Sequence, residues 1–133
     1  MRTIIATIKP QHLGRIRSRK KLFEMRKTCP KEVPFRVLCC QSGSGGQILA
    51  EFEVHTPVKA YPAEHPELVS QTCVSTQEAE QYAAGKELWF WEIRNMIDYC
   101  STKGCRVRNV SEFGLKRAPQ SWCYVKGDHN ASM

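Results

Sequence analysis

The sequence lacks any apolar run long enough to cross a bilayer, and its first residues lack the continuous apolar core of a signal peptide. We therefore expect a cytoplasmic protein that does not act at a membrane. The 133 residues, with 41% hydrophobic and 25% charged side chains, suffice for one globular domain with a buried core. No repeat or low-complexity segment is present. We predict one domain over residues 1–126 and a polar tail over residues 127–133.

The sequence also lacks a cysteine pattern that would organise disulfides or a metal site. It has seven cysteines, an odd number, and no Cys-x-x-Cys motif. Cys100 and Cys105 flank a predicted turn, but no neighbouring His or Cys completes a zinc set. Cys39 and Cys40 lie in an apolar segment. We therefore predict no metal and no cofactor, and we interpret the cysteines as small buried hydrophobic residues.

Acidic side chains are almost absent from the first 31 residues. This segment holds ten Lys and Arg and one acid, Glu24, whereas the remaining residues hold ten bases and twelve acids. The formal charge of +7 thus divides into +9 for the first segment and −2 for the rest. A focused positive patch attracts phosphates and other anions. A solvated basic helix without any partner has the same composition, so charge alone leaves both interpretations open.

Hydrophobic periodicity predicts several strands and a few short helices. A basic helix follows Pro10, which suits the first helical position. The glycine-rich segment 42–46 lacks the Lys-Ser/Thr of a phosphate-binding loop and predicts a hairpin turn. A Ser75–Glu78 capping-box spacing opens the last helix. The predicted strands are 3–8, 21–26, 35–41, 47–61 with a bend near Pro57, 87–99 and 122–126. The predicted helices are 10–20 and two pieces within 64–84. Such a set in a short chain favours an α+β fold with a closed or nearly closed barrel.

The most basic stretch, RKKLFEMRK at residues 19–27, contains the single acid of the first segment. Strand alternation places Glu24 and Arg26 on one face and Phe23 and Met25 on the other. Regular alternation would send Lys21 to the opposite face from Glu24. We therefore assume that Lys21 precedes the strand and turns back toward the carboxylate.

Three motifs in this order resemble the ASCH domain family, a branch of the PUA-like superfamily. The first is Ile-Lys-Pro after the opening strand, followed by a helix and by Lys-x-x-Glu-x-Arg at residues 21–26. The usual family signature is Gly-x-Lys-x-x-Glu-x-Arg, and Arg19 stands at the glycine position. GGQILAEFEV resembles a family strand of the form GKIVGEFEV, and RAPQSWCYV resembles the ending of small phage and prophage members. The resemblance covers residues 3–126.

The resemblance implies a PUA-like, five- to six-stranded mixed β-barrel with short peripheral helices. It also implies a cleft against the first helix, lined by the Lys, Glu and Arg of the motif. ASCH domains are thought to bind RNA. Some members are enzymes that remove the acetyl group of N4-acetylcytidine or cleave RNA, and the acetyl-removing branch has Thr at the position of Glu24.

The chemistry of the motif allows several roles. A carboxylate between cations favours its ionised form. A protonated Lys21 would act as an anion clamp or general acid, whereas a desolvated Lys21 would act as a base or nucleophile. Glu24 could instead form a structural ion pair with Lys21 or Arg26. Ser121, at a strand entrance, could face the cleft or pin a turn, with His12, His55 or His65 approaching it in the fold.

Outside the motif, Glu51 is a plausible polar partner, because in the family its strand runs beside the cleft. Trp122 adjoins Ser121 and is the best candidate for stacking on a base, whereas Trp89, Trp91 and Tyr124 fit a barrel interior equally well.

The function predicted from the sequence is binding of RNA or a nucleotide-like ligand in a basic cleft, with a possible regulatory role in RNA metabolism or translation. One alternative is a hydrolase acting on RNA or a modified nucleoside through Lys21, Glu24 and Ser121. Another is a module that binds an acidic protein through the basic helix. The predicted ligand-binding residues are Lys9, Arg15, Arg19, Lys21, Glu24, Arg26, Glu51, Ser121 and Trp122.

Overall fold

The computed structural model describes residues 1–127, which form an α+β fold with two β-sheets. Within this range the strands are β1 (Arg2–Ile8), β2 (Phe23–Arg26), β3 (Phe35–Gln41), β4 (Gln47–Val54), β5 (Val58–Ala60), β6 (Leu88–Glu92), β7 (Arg94–Asp98), β8 (Arg108–Asn109) and β9 (Trp122–Tyr124). The α-helices are α1 (Pro10–Arg17), α2 (Pro66–Ser70) and α3 (Thr76–Ala83). Short 3₁₀ turns cover Pro62–Glu64 and Val110–Phe113.

The larger sheet has the strand order β7-β4-β3-β1-β9, with β8 also pairing with β4. Strands β1 and β3 run parallel, and the other pairs are antiparallel. The predicted glycine-rich turn at 42–46 joins β3 to β4 as a hairpin. Gly46 has φ +89°, and a Cβ there would lie 2.7 Å from Val110 Cγ2. This position therefore requires glycine for both backbone and packing reasons.

The smaller sheet has the order β2-β6-β5 and is antiparallel throughout. The long strands predicted over 47–61 and 87–99 are wrong, because each is two strands that belong to different sheets. Pro57 lies in the first break, where a ladder N–H is missing. The second break is at Ile93, and Asn95, the second residue of β7, has a left-handed conformation with φ +51°.

The main core lies between the two sheets and under α1. It contains Ile4, Val37 and Phe52 from the larger sheet, Trp91 from the smaller sheet and Leu13 from α1, all fully buried. Trp91 meets Phe35 edge-on, with the ring centroids 5.2 Å apart. Two further clusters cover the outer faces of the two sheets. The α+β class and the mixed barrel-like architecture are thus confirmed, although the sheet does not close and the described strands number nine rather than five or six.

The structure also bears on the predictions for the α3 cap, the cysteines and the tail. Ser75 caps α3, since its Oγ accepts the Glu78 N–H at 3.1 Å. Cys39 and Cys40 are buried as predicted, but Cys100 and Cys105 are exposed because they lie on the turn after β7. None of the helices in residues 1–127 is both long and apolar enough to cross a membrane. The predicted tail lies outside the described residues except for Gly127.

Candidate functional site

A cleft of about 310 Å³ opens between α1, the end of β1, β2 and α3. We call it the cleft throughout. Its lining combines basic, acidic and aromatic side chains with a few apolar ones. The lining residues are Thr7, Ile8, Lys9, His12, Lys21, Glu24, Met25, Arg26, Val74, Glu78 and Tyr82.

Helix α1 supplies two of these side chains. Pro10 begins the helix, so Lys9 is its N-cap residue with an extended backbone. Leu13 and Ile16 bury the inner face of the helix. His12 lies one position before Leu13 and lines the cleft beside Lys9. Among the described residues, the buried His12 Nδ1 has no hydrogen-bond partner.

A tight turn after α1 positions Lys21 at the cleft. Arg19 has φ +64°, and the N–H groups of Lys20 and Lys21 both donate to the Arg15 carbonyl oxygen. This left-handed conformation favours glycine, although Arg19 occupies the position here. Lys21 therefore lies before β2, outside its alternation, which confirms the assumption made from the sequence.

Lys21, Glu24 and Arg26 form a buried cluster that we call the cleft cluster. Lys21 Nζ lies 3.5 Å from Glu24 Oε1 and donates to the Thr72 carbonyl oxygen at 2.6 Å. Arg26 donates to Glu24 Oε2 at 2.9 Å. The side chains are only 2%, 8% and 10% exposed for Lys21, Glu24 and Arg26. One buried carboxylate thus forms ion pairs with two buried cations.

Arg26 also joins the two sheets. Its guanidinium donates to the Thr7 carbonyl oxygen of β1 at 2.9 Å and to Ser121 Oγ at 3.3 Å. The guanidinium carbon lies 5.9 Å from the Trp91 ring centroid. Ser121 in turn accepts the Thr7 N–H through its carbonyl oxygen at 2.9 Å. Ser121 therefore contacts the cleft cluster through Arg26 and does not itself line the cleft.

Burial sets the protonation chemistry of the cleft. It lowers the pKa of Lys21, and the neighbouring Glu24 carboxylate offsets only part of this effect. Burial and the charge of Lys21 together lower the pKa of His12. The imidazole is therefore neutral at neutral pH, because its ordinary pKa is already 6.5.

Besides Ser121, four residues predicted from the sequence lie outside the cleft lining. The exposed Arg15 and Arg19 donate to the carbonyl oxygens of Cys73 and Met96. Glu51 accepts a hydrogen bond from the Tyr99 hydroxyl at 2.7 Å in a separate pocket. The half-buried Trp122 donates from Nε1 to Thr28 Oγ1 at 2.9 Å. Roles for these residues in binding stay predictions.

Tyr82 is one of the cleft residues that the sequence did not predict. It is 39% exposed, and Lys27 Nζ lies 4.8 Å from its ring centroid. Glu78 precedes it by one helical turn, so both project from the same face of α3. The i, i+4 spacing of an acid and an aromatic is too common a pattern to identify a site from sequence alone.

Solved structures of an ASCH protein are similar to this chain along nearly its whole length. The structure of ASCH from Zymomonas mobilis has a TM-score of 0.78 and 15% identity, over 96% of this chain and 90% of that one. A serine-to-alanine variant of the Z. mobilis protein has a TM-score of 0.79 and 14% identity, over 98% of this chain and 93% of that one. A tyrosine-to-phenylalanine variant of the same protein has a TM-score of 0.79 and 14% identity, over 99% of this chain and 96% of that one.

No protein-family model matches the sequence, and no curated protein matches it. At 14–15% identity, the similarity to the Z. mobilis structures is one of fold. The resemblance drawn from the three sequence motifs is confirmed at that level: this chain has the ASCH fold.

Proposed function

We propose that the cleft binds single-stranded RNA or a nucleotide-like ligand, with a phosphate beside Lys9, Lys21 and Arg26. The observation that carries the proposal is the charge imbalance of the cleft cluster, in which two buried cations share one buried carboxylate. A buried charge without a full counter-charge is costly. A ligand phosphate would supply the missing negative charge.

The rest of the cleft suits the remaining parts of a nucleotide. Tyr82 is 39% exposed, and its ring offers an aromatic surface on which a base can stack. His12 also lines the cleft, and its imidazole offers a polar contact to a base edge or a ribose hydroxyl. Glu78 also lines the cleft, and its carboxylate is held by the Ser75 hydroxyl at 3.2 Å. ASCH domains are thought to bind RNA, which agrees with this assignment.

Other predicted residues would act around this centre. Glu24 orients the two cations, and Ser121 orients Arg26 from the other side. Arg15 and Arg19 lie at the exposed end of α1 and would steer the phosphate backbone. A cytoplasmic location, a role in RNA regulation or translation, and a phage or prophage relationship belong to the same proposal.

The test is an RNA titration at several salt concentrations with a matched pair of lysine variants. Lys9→Ala removes an exposed cation from the cleft, whereas Lys103→Ala removes an exposed cation from the turn after β7. We expect Lys9→Ala to weaken binding and to reduce the slope of log affinity against log salt by about one. Lys103→Ala should leave both unchanged. Salt-independent binding, or equal effects of the two variants, would contradict the proposal.

A hydrolase is the second candidate function, favoured by the lowered pKa of Lys21 at the cleft wall. A lysine whose neutral form is more accessible can act as a base or nucleophile. Its Nζ lies within reach of the Glu24 carboxylate, which could accept or return a proton. Incubation with RNA and with N4-acetylcytidine tests this candidate. Turnover by the wild type that Lys21→Met abolishes would establish an enzyme, and no turnover by the wild type would reject it.

A further inference from the structure

A second concave surface lies beyond the end of β2. It encloses about 560 Å³ and is lined by Cys29, Pro30, Lys31, Val33, residues 55–57 and Trp89. We call it the Trp89 groove. We infer that it binds a second base of the RNA strand whose first nucleotide occupies the cleft. This inference rests on the proposed function and extends it from a single nucleotide to an oligonucleotide.

The groove shares no lining residue with the cleft but lies next to it across the β2–β6 ladder. Arg26, at the cleft, pairs directly with Trp89 across the β2–β6 ladder, so the two side chains lie on the same face of the smaller sheet. Cys29 follows Arg26 by three residues, which can span at most about 10 Å. Between them Thr28 accepts the hydrogen bond from Trp122 Nε1. An RNA strand that leaves the cleft past Ser121 and Trp122 would therefore reach the groove.

Trp89 supplies the stacking surface. Trp91 shares its face of β6 but is fully buried in the main core, whereas Trp89 is half-buried and lines the groove. Lys59 pairs with Trp89 across the β5–β6 ladder, and its Nζ lies 5.8 Å from the indole centroid. An aromatic face next to a cation is the arrangement with which single-strand binders hold a base and its phosphate.

The charges around the groove favour a nucleic acid over an apolar peptide. Lys31 and Lys59 are exposed, and neither forms an ion pair within residues 1–127. Two acids are close in sequence to the lining residues: Glu32 pairs with Arg2 at 3.5 Å, and the Glu53 carboxylate is engaged by His55 Nε2 and Asn95 Nδ2, each at 2.9 Å. The two free ammonium groups are therefore available to the phosphates that flank the second base.

The test compares adenosine monophosphate with single-stranded tetraadenylate in the wild type, Trp89→Leu, Lys59→Ala and Lys103→Ala. Leucine keeps an apolar side chain against the core and removes the ring, and thermal melting confirms that this variant is folded. We expect the tetramer to bind the wild type at least about tenfold more tightly than the monomer. Trp89→Leu should remove most of this gain and leave monomer affinity unchanged. Lys59→Ala should remove part of the gain and Lys103→Ala none.

The outcomes separate this inference from the proposed function. If Trp89→Leu and Lys59→Ala both keep the full gain of the tetramer, the groove does not bind RNA, while the cleft proposal stands. If the groove instead receives an apolar peptide, the same result is expected. If the wild type binds neither probe, the cleft proposal and the groove inference both fail.

Discussion

Two clusters in this protein each combine two cations with one carboxylate, but one cluster is buried and the other is at the surface. The cleft cluster places Glu24 between Lys21 and Arg26. On the surface, Glu112 lies between Arg106 and Arg108, with N–O distances of 3.0 and 2.7 Å, and we call this group the surface cluster. The surface side chains are 68%, 29% and 37% exposed for Arg106, Glu112 and Arg108, whereas no side chain of the cleft cluster exceeds 10%.

The two environments shift the pKa of different residues: the carboxylate in the surface cluster and the lysine in the cleft cluster. In the surface cluster, hydrogen bonds from the two arginines lower the pKa of Glu112 to about 2. In the cleft cluster, burial lowers the pKa of Lys21 against the pull of Glu24. Water compensates the extra positive charge at the surface but not in the cleft. The same charge ratio is therefore harmless in one place and favours an anionic ligand in the other.

The largest expected effect comes from removing each carboxylate in turn. Glu24→Gln leaves Lys21 and Arg26 buried without a counter-charge, so we expect a loss of about 3–5 kcal/mol in the free energy of unfolding. Glu112→Gln should lose far less, because exposed ion pairs contribute little. Urea denaturation of the two variants measures both losses. For Glu24→Gln, RNA affinity per folded molecule should also change at least about tenfold.

Two results would break this comparison. Equal losses for Glu24→Gln and Glu112→Gln would show that burial does not distinguish the clusters. A large loss for Glu24→Gln with unchanged RNA affinity per folded molecule would show that the cleft cluster only braces the two sheets. The second result would contradict the proposed function.

The next effect concerns the pH dependence that Lys21 adds to stability. Its pKa is lowered from 10.5, so between the lowered pKa and 10.5 the unfolded chain carries a proton that the folded chain lacks. Stability from this group therefore rises with pH in that window, by at most about 1.4 kcal/mol per pH unit. Below the lowered pKa, both states are protonated and the contribution is constant.

Lys21→Met isolates this contribution. Cys39 and Tyr99 have raised pKa values and oppose the trend at alkaline pH, but they are present in both proteins. The difference in unfolding free energy, wild type minus Lys21→Met, should thus increase with pH when urea unfolding is measured between about pH 7 and 10. Parallel pH profiles would indicate that burial does not perturb Lys21.

The sequence predicted best the features that depend on neighbouring residues. Strands β1 and β3, the 42–46 hairpin turn and the Ser75 cap all follow from local patterns and appear in the structure. The long strands over 47–61 and 87–99 were mispredicted because their apolar pattern continues while the chain changes sheet. Which sheet a segment joins depends on distant partners, such as β2 for β6 and β4 for β7.

The same limit applies to the cleft. Lys21, Glu24 and Arg26 are close in sequence, so their association could be predicted from one motif. Thr72, which accepts from Lys21, and Tyr82 come from segments about fifty residues or more away, and no local signal links them to the motif.

Glu51 was predicted at the cleft but lies outside it. The prediction came from the family resemblance, which implies that its strand runs beside the cleft. The strand β4 is present, but Glu51 pairs with Leu38 and bonds Tyr99, on the face away from the main core. One position of alternation decides the face of a strand.

The smallest expected effect is the response of the surface cluster to salt and acid. Glu112 has a depressed pKa, so its contribution to stability is complete above 4.5 and is lost as pH falls through about 2. Glutamine keeps an oxygen for the Asn109 N–H, which Glu112 Oε2 accepts at 3.0 Å, so Glu112→Gln removes mainly the charge. The difference between wild type and Glu112→Gln should shrink toward pH 2 and also in about 1 M salt, where the Debye length is about 3 Å. The Glu24→Gln difference should persist in that salt, because a buried cluster is screened much less. A salt response of equal size in both variants would remove the distinction between the two clusters.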